Sequence, residues 1–343
     1  MSNHFRVRFI PLLPLLYTSF VVASYLFSFC FIPPSASAGV GRVAYPFLRF
    51  PASARQAVLG GAFSAISDDV SALLTNPASV GGLKDGEMSL MHLLSWENTA
   101  YSVLTGSIPL ASGFNLSWHG VNMNFGKLDS EAELSDGSYN SNFAGRASTY
   151  TASAIGVGAG LGIRLAPGVL AGFQGRFVNQ SLDSGGAGQS TGMEGDAGLL
   201  FDMGFFALGA SVLHIGTVNG TSGDSGGASP MVIQGGGALR LGLANPKDFT
   251  LAFGAAKYVE LDALMISGGA ELQIAKAVAL RGGYSATGQS NELGSGLYLG
   301  GGIELTLGSY LYHLDYAFSG NSSGAGNQFA PRHFMSMRVT FLP

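Results

Sequence analysis

The chain has 343 residues, a net charge of −4 and only 11% charged residues, against about 25% in an ordinary soluble protein. Its 52 glycines and 47% hydrophobic content come without any basic cluster of the kind that grips a nucleic acid. That excludes a nucleic-acid partner and leaves two classes, a β-protein in lipid or a low-complexity secreted protein, in one large domain or two small ones.

The first 38 residues form a separate unit. Arg6 and Arg8 precede an apolar run from Phe9 to Ile32, interrupted by Pro11 and Pro14, and Ala36-Ser37-Ala38 stands before Gly39. This is the layout of a cleaved secretory signal peptide; the length of the apolar run also fits an uncleaved anchor. Cleavage removes two of the 17 basic residues, no acidic ones, and Cys30, the single cysteine. The mature chain then carries 15 basic against 21 acidic residues and has no disulfide or thiol chemistry. After residue 38 the most apolar window, 204–215, is about half the roughly 20 residues a helix needs to cross a bilayer. An exported chain this apolar can still occupy a membrane by closing a β-barrel, which pairs every backbone group across strands.

Residues 39–84 come next. Gly60 to Leu83 reads GGAFSAISDDVSALLTNPASVGGL, the most helix-like stretch of the mature chain. Asp68 or Ser67 can cap a helix, with Asp69 in its positive first turn. Asn76 must leave the helical region because Pro77 follows, so the expected helix spans roughly 69–75. Its apolar residues Val70, Leu73 and Leu74 need a surface. A wide barrel needs its lumen blocked, and a segment folded inside the barrel meets both needs. The plug motif is Gly60, Gly61, Asp68, Asp69, Asn76, Pro77 and Ala78, in which Asp68, Asp69 and Asn76 are expected to fix the segment in place.

From residue 85 the pattern is β. Strands are expected at 86–94, 99–108, 113–121, 149–165, 169–181, 196–203, 205–215, 231–243, 249–258, 263–274, 277–285, 295–307, 310–318 and 332–341. Phe114, Leu116 and Trp118 alternate with Asn115, Ser117 and His119; Tyr310, Tyr312, Leu314, Tyr316 and Phe318 share a face; Met335, Met337, Val339 and Phe341 close the chain in the same way. A soluble sandwich has the same period of two. Connection lengths favour a barrel: tight turns near 109–112, 166–168, 204, 245–247, 275–276 and 308–309 take alternate places with polar connections at 122–148, 182–195, 216–230, 286–294 and 319–331. Short turns on one side and long loops on the other, with an even strand count, describe an outer-membrane barrel. The expected fold is therefore an all-β transmembrane antiparallel barrel of about 14 strands with a short N-terminal helical plug. Arg164, Arg176, Arg240, Arg281 and Arg338 fall on its inner face with Glu271, Glu304 and Asp315. Buried charges need partners, so these read as lumen scaffolding ahead of a selective ion path. Many other inward positions are Gly or Ala, which leaves room for a filling.

Several chemical motifs fail on context. Gly223-Asp224-Ser225-Gly226-Gly227 matches a serine-protease pentapeptide but lies in a Gly/Ser-rich loop, with His214 on a strand rather than oriented beside it. No two of the six histidines have metal-ligand spacing. Gly235-Gly236-Gly237 lacks the spacing and helix of a phosphate loop. Asp129, Glu131, Glu133 and Asp136 lack the ligand spacing of a calcium loop. No enzyme, metal or cofactor is expected.

Ala54-Arg55-Gln56-Ala57-Val58-Leu59-Gly60-Gly61-Ala62-Phe63, followed by Asp68-Asp69, Ser71-Ala72-Leu73 and Asn76-Pro77-Ala78, resembles the N-terminal motif of the PorV/PorQ family, itself related to FadL-type outer-membrane transporters. Gly300-Gly301-Gly302-Ile303, Leu314-Asp315-Tyr316-Ala317-Phe318 and Leu208-Gly209-Ala210-Ser211 are similar to that family as well. The resemblance implies a 14-stranded barrel with an N-terminal hatch in the outer membrane of a Gram-negative bacterium. It implies passage of small hydrophobic compounds or, for PorV-type members, service to a type IX secretion system. The partners implied are outer-membrane lipid, a hydrophobic small-molecule ligand entering among loops 122–148 and 216–230, or secretion-system proteins. The expected division is signal peptide 1–38, plug 39–84 and barrel 85–343.

Overall fold

The computed structural model describes residues 44–94, 99–111, 113–130, 148–181, 189–220, 228–242, 248–274, 277–288, 295–321 and 332–342. The expected signal peptide, the pentapeptide 223–227 and most of the expected ligand-entry loops lie outside these residues.

Fourteen strands form one closed antiparallel barrel. They are β1 (Gly86–Leu94), β2 (Ala100–Ala111), β3 (Phe114–Ser130), β4 (Ser148–Ala166), β5 (Val169–Ser181), β6 (Gln189–Asp202) and β7 (Phe206–Gly220), then β8 (Val232–Leu241), β9 (Phe249–Tyr258), β10 (Ala263–Ile274), β11 (Val278–Thr287), β12 (Gly296–Leu307), β13 (Tyr310–Asn321) and β14 (Arg332–Phe341). Each strand pairs with its sequence neighbours, and β1 pairs with β14 from Gly86↔Phe341 to Leu94↔His333 to close the ring. Closure leaves no unpaired edge. The expected strands are all present. They run further than alternation suggested at the long-loop end, where β3 continues to Ser130, β6 begins at Gln189 and β7 reaches Gly220. Polar, glycine-rich sequence masks a strand that has left the apolar belt. The turn expected at 109–112 is tighter, because β2 continues through Pro109 to Ala111 with a register shift against β3.

The two faces differ in kind. Outward residues such as Phe114, Phe173, Ile266 and Leu299 are exposed. Their strand neighbours inside are small or polar: Ser117, His119, Ser211 and Ala252 are all buried. Outward apolar positions alternating with inward small or polar ones, as over these stretches, are the pattern of a lipid-facing barrel wall.

Residues 44–83 lie against the inner wall. The chain forms a 3-10 turn at Pro46–Arg49, helix α1 at Ala54–Val58, and 3-10 turns at Val70–Leu74 and Pro77–Gly82. The helix expected at 69–75 is thus a 3-10 turn, and the α-helix lies earlier. Asp69, not Asp68 or Ser67, caps the turn, its carboxylate accepting from the Ser71 N–H at 2.9 Å. Asn76-Pro77 ends the segment too soon for a full α-turn to propagate. Gly60 and Gly61, at φ 70° and 87°, end α1 and turn the chain. The segment runs from the long-loop end, where Ala44 N–H bonds to the Ala228 carbonyl at 3.0 Å, to the tight-turn end, where β1 begins.

Inward glycines make the seat. A Cβ at Gly209 would fall 1.9 Å from the Ser64 carbonyl oxygen, at Gly172 2.2 Å from that of Pro77, and at Gly283 2.3 Å from that of Val58. Backbone therefore rests on backbone, with no room for a side chain between.

Candidate functional site: the inner segment and its seat

Near the tight-turn end the contacts are ionic. Arg55 of α1 forks onto Glu271 of β10, Nε to Oε2 at 2.9 Å and Nη2 to Oε1 at 3.0 Å, and its Nη1 reaches Asp68 at 3.0 Å. A two-point guanidinium–carboxylate pair fixes orientation as well as charge. Glu271 also takes Arg281, which bonds onward to Asp315. From the other side Arg338 of β14 donates to the Asp68 carbonyl at 2.8 Å and to Glu87 at 3.3 Å, and lies 3.8 Å from Asp69. Glu87 in turn accepts from the Val70 N–H at 3.1 Å and from Thr340. Burial alone would raise the Asp68 and Asp69 carboxyls; the guanidiniums of Arg55 and Arg338, joined for Asp68 by Arg240, outweigh it and hold both below the ordinary range. Burial alone would likewise lower Arg55; Asp68, Glu271 and Asp69 reverse the sign and lock its charge on.

Asn76 is the neutral counterpart. It is fully buried. Its Oδ1 accepts from the Ala78 N–H at 3.1 Å, capping the turn at Pro77, while Nδ2 donates to the Ser64 carbonyl at 2.8 Å and to the Leu199 carbonyl of β6 at 3.0 Å. One side chain thus joins two parts of the segment to the wall. Nearby, Ser67 bonds Asp202, which Arg240 holds at 2.9 Å.

Among the other expected lumen charges, Arg176 pairs with Asp196 within a buried group that includes Glu194, His214 and Ser229. Glu304 faces His313 at 3.6 Å. Arg164 stands apart at the tight-turn rim. The expectation missed Arg55, Glu87, Glu194, Asp196 and Asp202. Arg55 sat inside the quoted motif, and its charge on an otherwise apolar short helix was the available signal. His214 does not approach a serine as a base: Ser229 donates to Glu194 and to the His214 carbonyl, both at 2.7 Å.

A cavity of 370 Å³ opens beside the ionic network, lined by Asp68, Glu87, Arg240, Glu271, Asp315 and Arg338 among others. Toward the long-loop end the lumen changes character. Tyr45, Phe47, Leu48 and Phe50 pack against inward Met91, Leu93, Tyr101, Val103 and Phe334. The tight-turn end is thus polar and charged, while the long-loop end pairs an apolar cluster with a second buried polar group, Arg176, Glu194, Asp196 and His214, and with the Arg49–Glu260 pair at 3.6 Å.

The barrel resembles solved hydrocarbon channels. The toluene transporter TodX of Pseudomonas putida superimposes with a TM-score of 0.59 at 14% identity, over 85% of this chain and 97% of that one. The Ralstonia pickettii toluene transporter TbuX gives 0.55 at 10%, over 84% and 98%, and the monoaromatic hydrocarbon channel CymD gives 0.55 at 10%, over 85% and 97%. These likenesses concern the fold, and the proteins they reach are transporters and channels rather than enzymes. No curated protein matches the sequence. A family model does match residues 32–204, half of the chain and the whole of the inner segment, and the chain belongs to that family, the Uncharacterised protein family UPF0164.

Proposed function

We propose that the protein is an outer-membrane channel for small hydrophobic compounds, with residues 39–84 as the plug that controls passage. The observation that carries this reading is the apolar cluster toward the long-loop end, where Tyr45, Phe47, Leu48 and Phe50 of the segment pack on inward Met91, Leu93, Tyr101 and Phe334. A soluble-ion pore has no use for such a lining; an apolar solute does. The shared fold with the toluene transporters supports the same reading. In this mechanism a solute takes the place of the aromatic side chains of residues 45–50. The plug then shifts, and the solute leaves sideways, because the charged cavity near Glu271 and Arg338 disfavours apolar cargo. Asp68, Asp69, Asn76 and the lumen arginines hold the closed state and need not touch cargo.

The test is a reversible lock. Ala54 N–H donates to Ser336 Oγ at 3.1 Å, so A54C with S336C is the pair placed to join plug to wall, with Cys30, the one native cysteine, replaced by serine. Uptake of a monoaromatic hydrocarbon by cells carrying the oxidised pair should stop and return on reduction. Equal uptake in both states refutes gating by the plug.

A further inference from the structure

The lumen arginines share a rule: Arg55, Arg176, Arg240, Arg281 and Arg338 each face a carboxylate. Two cations at the tight-turn end break it. Lys84 and Arg164 have no carboxylate partner among the described residues. Arg164 Nη2 reaches only the Gly81 and Gly82 carbonyls, each at 3.5 Å, the outer limit of a hydrogen bond. Both cations line one cavity of 330 Å³, together with Leu83, Pro109, Leu110 and Asn115, and no acidic residue borders it.

The cavity is built rather than incidental. Asn115 is buried and spends its amide on the Val80 and Leu83 carbonyls at 2.6 and 2.9 Å, which fixes one wall. Arg164 N–H bonds the Gly113 carbonyl at 2.7 Å, which fixes the opposite turn. Just outside, the rim is apolar: Leu110 and Leu165 are 56% and 60% exposed, with Phe114 and Ile108 below them on the outer face. Two unpaired cations over an acyl-compatible rim suit an anion that carries a hydrocarbon chain.

We propose that this cavity binds the phosphate of an anionic phospholipid from the leaflet at the tight-turn end, with Lys84 and Arg164 on the phosphate and Leu110 and Leu165 against the chain. The phosphate fits because Arg recognises its planar pair of oxygens and Lys adds a point charge. A zwitterionic headgroup would bring its own cation against Lys84. The site rests on the barrel lying in a membrane and is independent of what the channel carries.

The experiment is native mass spectrometry of the full barrel, released from detergent with phosphatidylglycerol or phosphatidylcholine of the same chains. The wild type should retain phosphatidylglycerol preferentially. K84Q should weaken retention about fivefold, and K84Q with R164Q roughly 25-fold, from the usual contribution of one basic residue to anionic-lipid binding. Lys84 is exposed, so K84Q alone leaves folding intact and keeps the test open if the double variant fails to fold. Lys257, at the long-loop end, is the control: K257Q should change nothing. Equal retention of the two lipids, unchanged retention in K84Q, or an equal loss in K257Q overturns the proposal. Displacement of the lipid by an equal concentration of inorganic phosphate overturns the lipid source in favour of a free anion.

Discussion

Replacing Asn76 by alanine should unseat the inner segment without opening the barrel wall. The change strips hydrogen bonds from the Ala78 N–H and from the carbonyls of Ser64 and Leu199. All three sit at a side chain with no solvent exposure, so water does not replace them in the seated state. Each orphaned group costs about 1–3 kcal/mol. Leu199 also belongs to the β6 ladder, which argues for the low end. The sum is about 3 kcal/mol, or roughly a hundredfold shift of the seated-to-unseated ratio. The β1–β14 seam and the other strand pairs do not involve Asn76, so heat-modifiable migration should be unchanged. Limited proteolysis within residues 44–84 of the purified barrel, compared with wild type, reads the ratio directly. Cleavage at the wild-type rate would show that Asn76 does not hold the segment, and the account of the seat would fail.

Other predictions concern the same seat. G209V places a side chain where the Ser64 carbonyl now lies; it should displace the segment and raise ion conductance in a planar bilayer, whereas V157A on the outer face should leave conductance unchanged. R55M removes the link between Glu271, Asp68 and Asp69. Glu271 keeps Arg281, so the loss should fall near the low end for a broken buried pair, about 3 kcal/mol, and R55K should recover little of it because the two-point contact is gone. Asp68 and Asp69 are held below their ordinary pKa of 3.8. A carboxyl depressed in the seated state stabilises that state above its free pKa and loses the benefit as pH falls through the depressed value. The share of proteolytic protection that Asp68 and Asp69 supply to residues 44–84 should therefore hold from pH 7 to about 4 and decline only below that. A midpoint near pH 6 would point to a histidine instead.

The barrel was legible because its wall obeys a rule of period two that local sequence carries in full. Phe114 to His119 and Met335 to Phe341 state it openly. The strand extensions beyond the apolar belt were hidden for the same reason: Gln189 to Thr191 is polar on both faces, and Thr217 to Gly220 has one apolar residue, Val218, among Thr, Asn and Gly. The inner segment was legible as a filling, from the inward glycines and from Asn76-Pro77. Its details were not. The cap moved from Asp68 to Asp69 because Asp68 is drawn to Arg55, and nothing near Arg55 in the chain announces that its main partner, Glu271, comes 216 residues later. Sequence gives the charge of such a residue but not its partner. Residues 54–78, on which the resemblance to PorV/PorQ rested, lie within the 32–204 matched by the UPF0164 model, and the family shown is UPF0164.

The contacts of β14 with the inner segment bear on how the protein is assembled. Ser336 accepts from the Ala54 N–H, and Arg338 holds the Asp68 carbonyl. Both residues belong to the last strand, which must meet β1 to complete the ring. The segment lies before β1 in the chain and inside the ring in the finished protein. A segment seated before the seam shuts would present the Ala54 N–H and the Asp68 carbonyl to the arriving β14. On that order of assembly the segment is a mandrel for the last pairing, and a barrel lacking it should insert slowly even where its wall is unaltered; insertion at the wild-type rate would show that the seam closes without it.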